Sequence, residues 1–218
     1  MKASQFALLI ISLLTHSISF AEKEKNIQIG LFSSGNLDHW KNKEFSGNTA
    51  YQITQLGKNK VLKAESHSSA SGLFKRQRID LKKTPYLNWR WRIENRLHNL
   101  NEQSKSGDDY SARIYIVIDG GWAFWKTKAI NYVWASNSSK GSIWSNAYAG
   151  KNAMMIAVRS KIDKTRTWYT EKRNILEDLK EQFGSDIRYI DAVALMTDTD
   201  DSKSDAIAFY GEIYFSAE

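Results

Sequence analysis

Five carboxylates stand where the apolar pattern of the chain begins or ends: Asp108, Asp109, Glu171, Asp198 and Asp200. Asp108 and Asp109 are adjacent and lead into the run Ala112 to Ile118. Asp198 and Asp200 follow directly on the run Ile190 to Thr197. If these two runs are antiparallel neighbours, both acidic pairs arrive at one rim of a sheet. Carboxylates gathered at a rim can hold a hard cation such as Ca²⁺, pair with arginine, or serve as acid and base in glycoside hydrolysis. Arg113, Arg159 and Arg173 are the arginines placed to pair with them. Arg113 is the sharper case, because it is the one charge inside an apolar strand pattern. A cation there needs a partner, since burying it alone costs several kcal/mol. The spacing therefore predicts Arg113 as the hub of a charged network. Asp198 does not open an EF-hand: the sixth position, where glycine is needed, is Lys203, and the twelfth is Phe209 rather than Glu.

The second set is aromatic. Trp122, Trp125, Tyr132, Trp134, Trp144 and Trp168 surround the same central stretch in sequence. Sugar recognition needs a flat ring for the C–H face and planar polar groups for the hydroxyls. Asp109, Arg113, Asn131, Arg173 and Asn174 are of the right type for the hydroxyls. The same aromatics can instead fill a core, and composition does not separate the two uses. Trp122 and Trp125 flank a Gly-Gly turn and are the ones expected at the surface. The ligand-binding set read from these patterns is Asp108, Asp109, Arg113, Tyr132, Trp134, Glu171, Arg173, Asp198 and Asp200.

Several chemistries lack their residues. The chain has no Cys, which removes disulfides, thiolate metal sites and cysteine nucleophiles. His39, His67 and His98 are far apart and in no metal-ligand spacing. HExxH, G-x-S-x-G, P-loop and G-x-G-x-x-G patterns do not occur.

Short strands must position these groups. Leu87, Trp89, Trp91 and Ile93 alternate with Asn88, Arg90, Arg92 and Glu94, which makes one core face and one polar face. The run Arg113 to Ile118 is apolar on both parities apart from Arg113, as expected of a strand covered on both faces. Turn formers separate further runs at Gly35, Gly47, Gly57 and Gly72, and the only proline, Pro85, stands at the start of a strand. One helix is expected near 174–183: Asn174 caps it, Glu177 follows three residues later, Ile175, Leu176, Leu179 and Phe183 form its stripe, and Gly184 ends it. About ten short strands and one helix predict an all-β fold, an antiparallel β-sandwich of jelly-roll type.

The chain opens with a targeting pattern. Lys2 supplies the positive start, Phe6 to Phe20 the apolar stretch, and Ser19-Phe20-Ala21 the small residues of a cleavage site. Residues 1–21 are expected to be a signal peptide and 22–218 a single domain, with no transmembrane segment after cleavage and a periplasmic or secreted location. The net charge of +7 favours anionic partners weakly, because exposed charge is screened within about 8 Å at physiological salt. Nucleic acid does not suit an exported protein.

Several segments together resemble a bacterial envelope family known as domain of unknown function 3047. They are Ser69-Ala70-Ser71-Gly72-Leu73, Trp89-Arg90-Trp91-Arg92, Gly107 to Arg113, Asn131-Tyr132-Val133-Trp134, Val158-Arg159-Ser160, Glu171 to Asn174, Phe183-Gly184 and Met196 to Asp200. The resemblance implies an exported β-rich domain. The loops after Trp91 and Trp134, where that family tends to carry proline, are polar or charged here. The first half, with Trp40, Gly47, Tyr51 and Ser69-Ala70-Ser71-Gly72, is also similar to the galactose-binding-like jelly rolls of carbohydrate-binding modules. The function expected is binding of a glycan or another envelope polymer without catalysis. A glycan-active enzyme using paired carboxylates and a protein-interaction scaffold remain as alternatives. No cofactor is required by this reading, although Ca²⁺ is compatible with the acidic rim.

Overall fold

Leu87, Trp89, Trp91 and Ile93 are all buried, and the sandwich is assembled around them. The computed structural model of the chain describes residues 26–184 and 187–218, so the expected signal peptide lies outside the described residues. The strands are β1 (Ile27–Gly30), β2 (Lys41–Ser46), β3 (Ala50–Leu56), β4 (Asn59–His67) and β5 (Ala70–Asp80). They continue with β6 (Tyr86–Ile93), β7 (Arg113–Ile118), β8 (Lys128–Trp134), β9 (Ile143–Asn146) and β10 (Gly150–Arg159). Then come β11 (Tyr169–Asn174), the helix α1 (Ile175–Phe183), β12 (Tyr189–Asp198) and β13 (Asp205–Ser216). No helix among the described residues is long and apolar enough to cross a membrane.

The strands form two sheets. One has the order β11-β6-β13-β4-β3, with β1 also on β13. The other has the order β2-β5-β12-β7-β8-β10-β9. Ile114, Ile116, Ile130, Tyr132, Trp134, Val193 and Leu195 of the seven-stranded sheet meet Trp89, Trp91, Tyr210, Ile213 and Phe215 of the other. The aromatic part of this core is continuous: ring centroids of Trp89 and Tyr132 are 5.3 Å apart, and those of Trp91 and Trp134 are 5.9 Å apart.

The pairing departs from the all-antiparallel expectation at one place. β10 runs parallel to β8, while β9 runs antiparallel to β10 at the sheet edge. β9 makes the return journey, so a parallel neighbour arises without the long crossover that parallel strands otherwise need.

The helix forms where the capping residues predict. Asn174 Oδ1 accepts from the Glu177 backbone N–H at 3.3 Å, and Gly184 closes the helix at φ +62° with its N–H on Lys180 O. Ile175 and Leu179 are buried in the main core. Asn174→Ala is expected to cost about 1 kcal/mol, read as a lower midpoint in urea denaturation at an unchanged slope.

Candidate functional site

Register decides what gathers at Arg113. β7 and β12 are antiparallel neighbours, with Arg113 opposite Met196. Asp198 lies two residues beyond Met196 and so shares its face of the sheet. The expected meeting of the two acidic pairs at one rim follows from this register.

Arg113 donates from Nη2 to Asp198 Oδ2 at 2.6 Å, and its Nη1 is 3.8 Å from Asp108 Oδ2. The rings of Tyr110 and Tyr115 flank its guanidinium at 5.2 and 5.3 Å. Burial acts to lower the pKa of Arg113, but Asp198, Tyr115 and Asp108 together outweigh it and raise the pKa, so the group stays charged. Asp108 is held by the Asn146 amide, whose Nδ2 donates to both carboxylate oxygens at 3.1 and 2.9 Å. Asp109 accepts backbone N–H bonds from Asp201 and Ser202. Burial raises the Asp198 pKa well above the ordinary carboxylate value; Arg113 opposes this, and repulsion from Asp109, Asp108 and Asp200 adds to it. Asp200 is raised by partial burial and by its neighbours Asp201 and Asp109.

This network forms one end of an open groove of about 430 Å³ on the outer face of the seven-stranded sheet. Tyr115, Asn131, Ala129 and Met196 form part of the lining, together with exposed Phe45 of β2 and Tyr148 of the β9–β10 turn. Tyr148 is held in place by a hydrogen bond from its hydroxyl to Asp201 Oδ1 at 2.7 Å. Phe45, Tyr115 and Met196 also line an adjoining, more apolar hollow of about 290 Å³ that reaches Phe74, Arg76 and Asp119. Among the described residues, three atoms of the groove lining are buried without a hydrogen-bond partner: Asn131 Oδ1, Arg113 Nε and Asp198 Oδ1.

The outer face of β7 is therefore covered only in part. Arg113 is buried, whereas Tyr115 and Val117 are half-buried and line the groove. The cover at the Arg113 end comes from the 99–112 loop, which packs Tyr110 against Val133, Trp144, Met155 and Ala157. Glu102 ties that loop down. Its carboxylate accepts from the backbone N–H groups of Ser136 and Ser138 at 2.5 and 2.7 Å, and its carbonyl accepts from Trp144 Nε1 at 3.1 Å.

Four residues of the expected ligand set are elsewhere. Tyr132 and Trp134 point into the sandwich core, and the Tyr132 hydroxyl donates to Asp178 rather than facing a ligand. Arg173 pairs with the same Asp178. Glu171 accepts from Arg159 Nε and from Trp91 Nε1. The groove is lined instead by Phe45, Tyr115, Asn146 and Tyr148, which the sequence patterns did not single out for a ligand. Asn131 was among the polar candidates and is in place. Trp122 and Trp125 are exposed, in an edge-to-face pair at 6.0 Å, at the end of β7 and β8 away from Arg113. Trp168 stands under Arg90, 4.4 Å from its guanidinium.

One family matches the sequence, over residues 38–214. The chain belongs to the family described as Protein of unknown function (DUF3047). Among curated proteins none matches the sequence. Solved structures similar to this DUF3047 chain are β-sandwiches. The family 30 carbohydrate-binding module of a cellulosomal cellulase from Clostridium thermocellum has 8% identity and a TM-score of 0.50, over 89% of this chain and 98% of that one. The family 11 carbohydrate-binding module from Clostridium thermocellum, in complex with a β-1,3-1,4-mixed-linked tetrasaccharide, has 9% identity and a TM-score of 0.47, over 88% and 95%. The xyloglucanase domain of NopAA, a type three effector from Sinorhizobium fredii, has 13% identity and a TM-score of 0.47, over 82% and 93%.

Proposed function

We propose that the chain is an exported glycan-binding domain that takes a stretch of polysaccharide along the outer face of its seven-stranded sheet. The observation that carries this reading is the groove itself. Exposed Phe45 and Tyr148 and half-buried Tyr115 offer ring faces beside a polar group of Asn131, Asp108 and Arg113. Rings with a few convergent polar groups are the composition of a sugar site. Asn131 Oδ1, buried without a donor, suits a hydroxyl, since a buried acceptor left unpaired is costly. The adjoining hollow lengthens the surface and suits an extended chain rather than a single sugar. The likeness in fold to the family 30 carbohydrate-binding module agrees with this reading. Export rests on the signal pattern of residues 1–21.

Binding is favoured over hydrolysis by the state of the carboxylates. Asp108 is held by Asn146, Asp109 by two backbone amides, and Asp198 by Arg113. Glycoside hydrolysis asks for two carboxyl groups about 5–9.5 Å apart and free to exchange protons. Affinity electrophoresis against soluble β-glucans, xyloglucan, galactans and purified envelope polysaccharides is the direct test. Retardation by at least one polymer is expected, without release of reducing ends. Phe45→Ala and Asn131→Ala should each weaken it about tenfold, or about 1.4 kcal/mol, while Trp168→Ala should not. Unchanged mobility and tryptophan fluorescence with every polymer would sink the proposal.

A further inference from the structure

The acidic end of the groove offers a chemistry that needs no glycan. One oxygen from each of Asp109, Asp198 and Asp200 lies within 4.8 Å of the others. Asp198 is 1% exposed, and only its Oδ2 is engaged by Arg113; among the described residues Oδ1 has no hydrogen-bond partner. Ser202 Oγ, from the same loop, is also buried without a partner. A buried carboxylate oxygen with neither donor nor solvent is a costly arrangement that a cation would relieve.

The loop that carries these groups is built in advance. The Thr199 N–H donates to Ser69 O and the Ser68 N–H donates to Ser204 O, both at 2.9 Å. The Ser66 and Thr199 hydroxyls meet at 2.8 Å beneath it. Asp198, Asp200 and Ser202 alternate along the chain, as oxygen ligands do at the first, third and fifth positions of a calcium loop. The sixth position of such a loop turns left-handed and is usually Gly. Here Lys203 takes that conformation at φ +53°, so the residue that argues against a cation in the sequence adopts the backbone the cation needs. Phe209 cannot supply the carboxylate of the twelfth position. Asp109 brings one from the segment leading into β7, with its Oδ2 2.6 Å from the Ser202 N–H.

We propose that Asp109, Asp198 and Asp200, with the Ser202 hydroxyl, bind Ca²⁺. The donors are all hard oxygens, which disfavours zinc and copper. Carboxylates drawn from two separate segments of chain suit the adaptable shell of Ca²⁺ better than the octahedron that Mg²⁺ demands. Asp198 would bridge the ion and Arg113, placing the cation at the rim of the groove.

The test uses protein stripped with EDTA and titrated with CaCl₂ or MgCl₂, with no polysaccharide present. Calorimetry should show saturable binding of one Ca²⁺, at least tenfold tighter than Mg²⁺, and the unfolding midpoint should rise with Ca²⁺. Asp200→Asn should weaken Ca²⁺ binding at least tenfold. Asp205→Asn, which alters an exposed pair with His67, should leave it unchanged. Tb³⁺ luminescence excited through tyrosine and displaced by Ca²⁺ gives a readout on the unsubstituted protein, should Asp200→Asn fold poorly. No saturable heat and no displaceable Tb³⁺ signal would overturn the site, as would undiminished binding by folded Asp200→Asn. Failure of the glycan assays leaves this result untouched, and the reverse holds too.

Discussion

Arg113→Met is expected to lower the stability of the domain by about 3–5 kcal/mol, because it removes one partner of a buried ion pair and leaves the buried carboxyl groups without their cation. For a domain of this size that is a fall in melting temperature of roughly 6–20 °C. Asp198 would lose its bond from Nη2, and Asp108 its nearest cation, while both remain almost solvent-free. The methionine fills much of the space but offers no proton. Arg113→Lys should fall between the two, since it keeps the charge but lacks the fork that reaches both carboxylates. Urea denaturation followed by tryptophan fluorescence measures the difference. A loss under 1 kcal/mol for Arg113→Met would show that the network does not depend on its cation.

The second large effect is expected at Gly107, three-tenths of a nanometre being more room than its missing side chain has. A Cβ there would lie 2.4 Å from Asn101 O and 2.7 Å from Asn101 C. Both are backbone atoms of a loop tied down by Glu102, so they cannot yield as a flexible side chain would. Gly107→Ala is expected to cost about 3 kcal/mol, at the upper end of the range for overpacking. The damage should spread along the tether. Amide exchange at Ser136 and Ser138, whose N–H groups Glu102 accepts, should accelerate in the variant. Gly121→Ala is the comparison: its Cβ meets nothing within 4 Å among the described residues, and its penalty comes from φ +61°, about 1 kcal/mol. Equal losses at the two positions would show that the 99–107 loop relaxes freely.

Much of the scaffold was legible because local rules and tertiary packing agree there. The alternation of Leu87 to Ile93 has one reading, since its second parity is Asn, Arg, Arg and Glu. The helix carried its cap, its stripe and its terminating glycine within eleven residues, Asn174 to Gly184. The meeting of Asp108 and Asp109 with Asp198 and Asp200 could be anticipated because each pair marks the end of a long apolar run. Strand ends that are neighbours in an antiparallel sheet share a rim.

The groove could not be anticipated in the same way. Around Tyr132 and Trp134 both parities of the strand are mostly apolar, so the sequence does not say which one faces the core. Packing against Trp89 and Trp91 turned the two rings inward and left Asn131 on the outer face. Phe45, Asn146 and Tyr148 come from an edge strand, a short strand and a turn, where no periodicity marks a shared surface. The pairing of β10 with β8 brings Asn146 and Tyr148 to the groove from one side, and that of β2 with β5 brings Phe45 from the other.

By itself, then, the sequence determined a disulfide-free β-sandwich with one capped helix and an arginine that needed carboxylates, because burial pattern, capping and charge compensation act over short stretches of chain. The tertiary structure alone decided which carboxylates share that arginine, which one keeps an unpaired oxygen, and which aromatic rings reach solvent. Those outcomes depend on register between strands distant in sequence, where a shift of one residue turns every side chain to the opposite face.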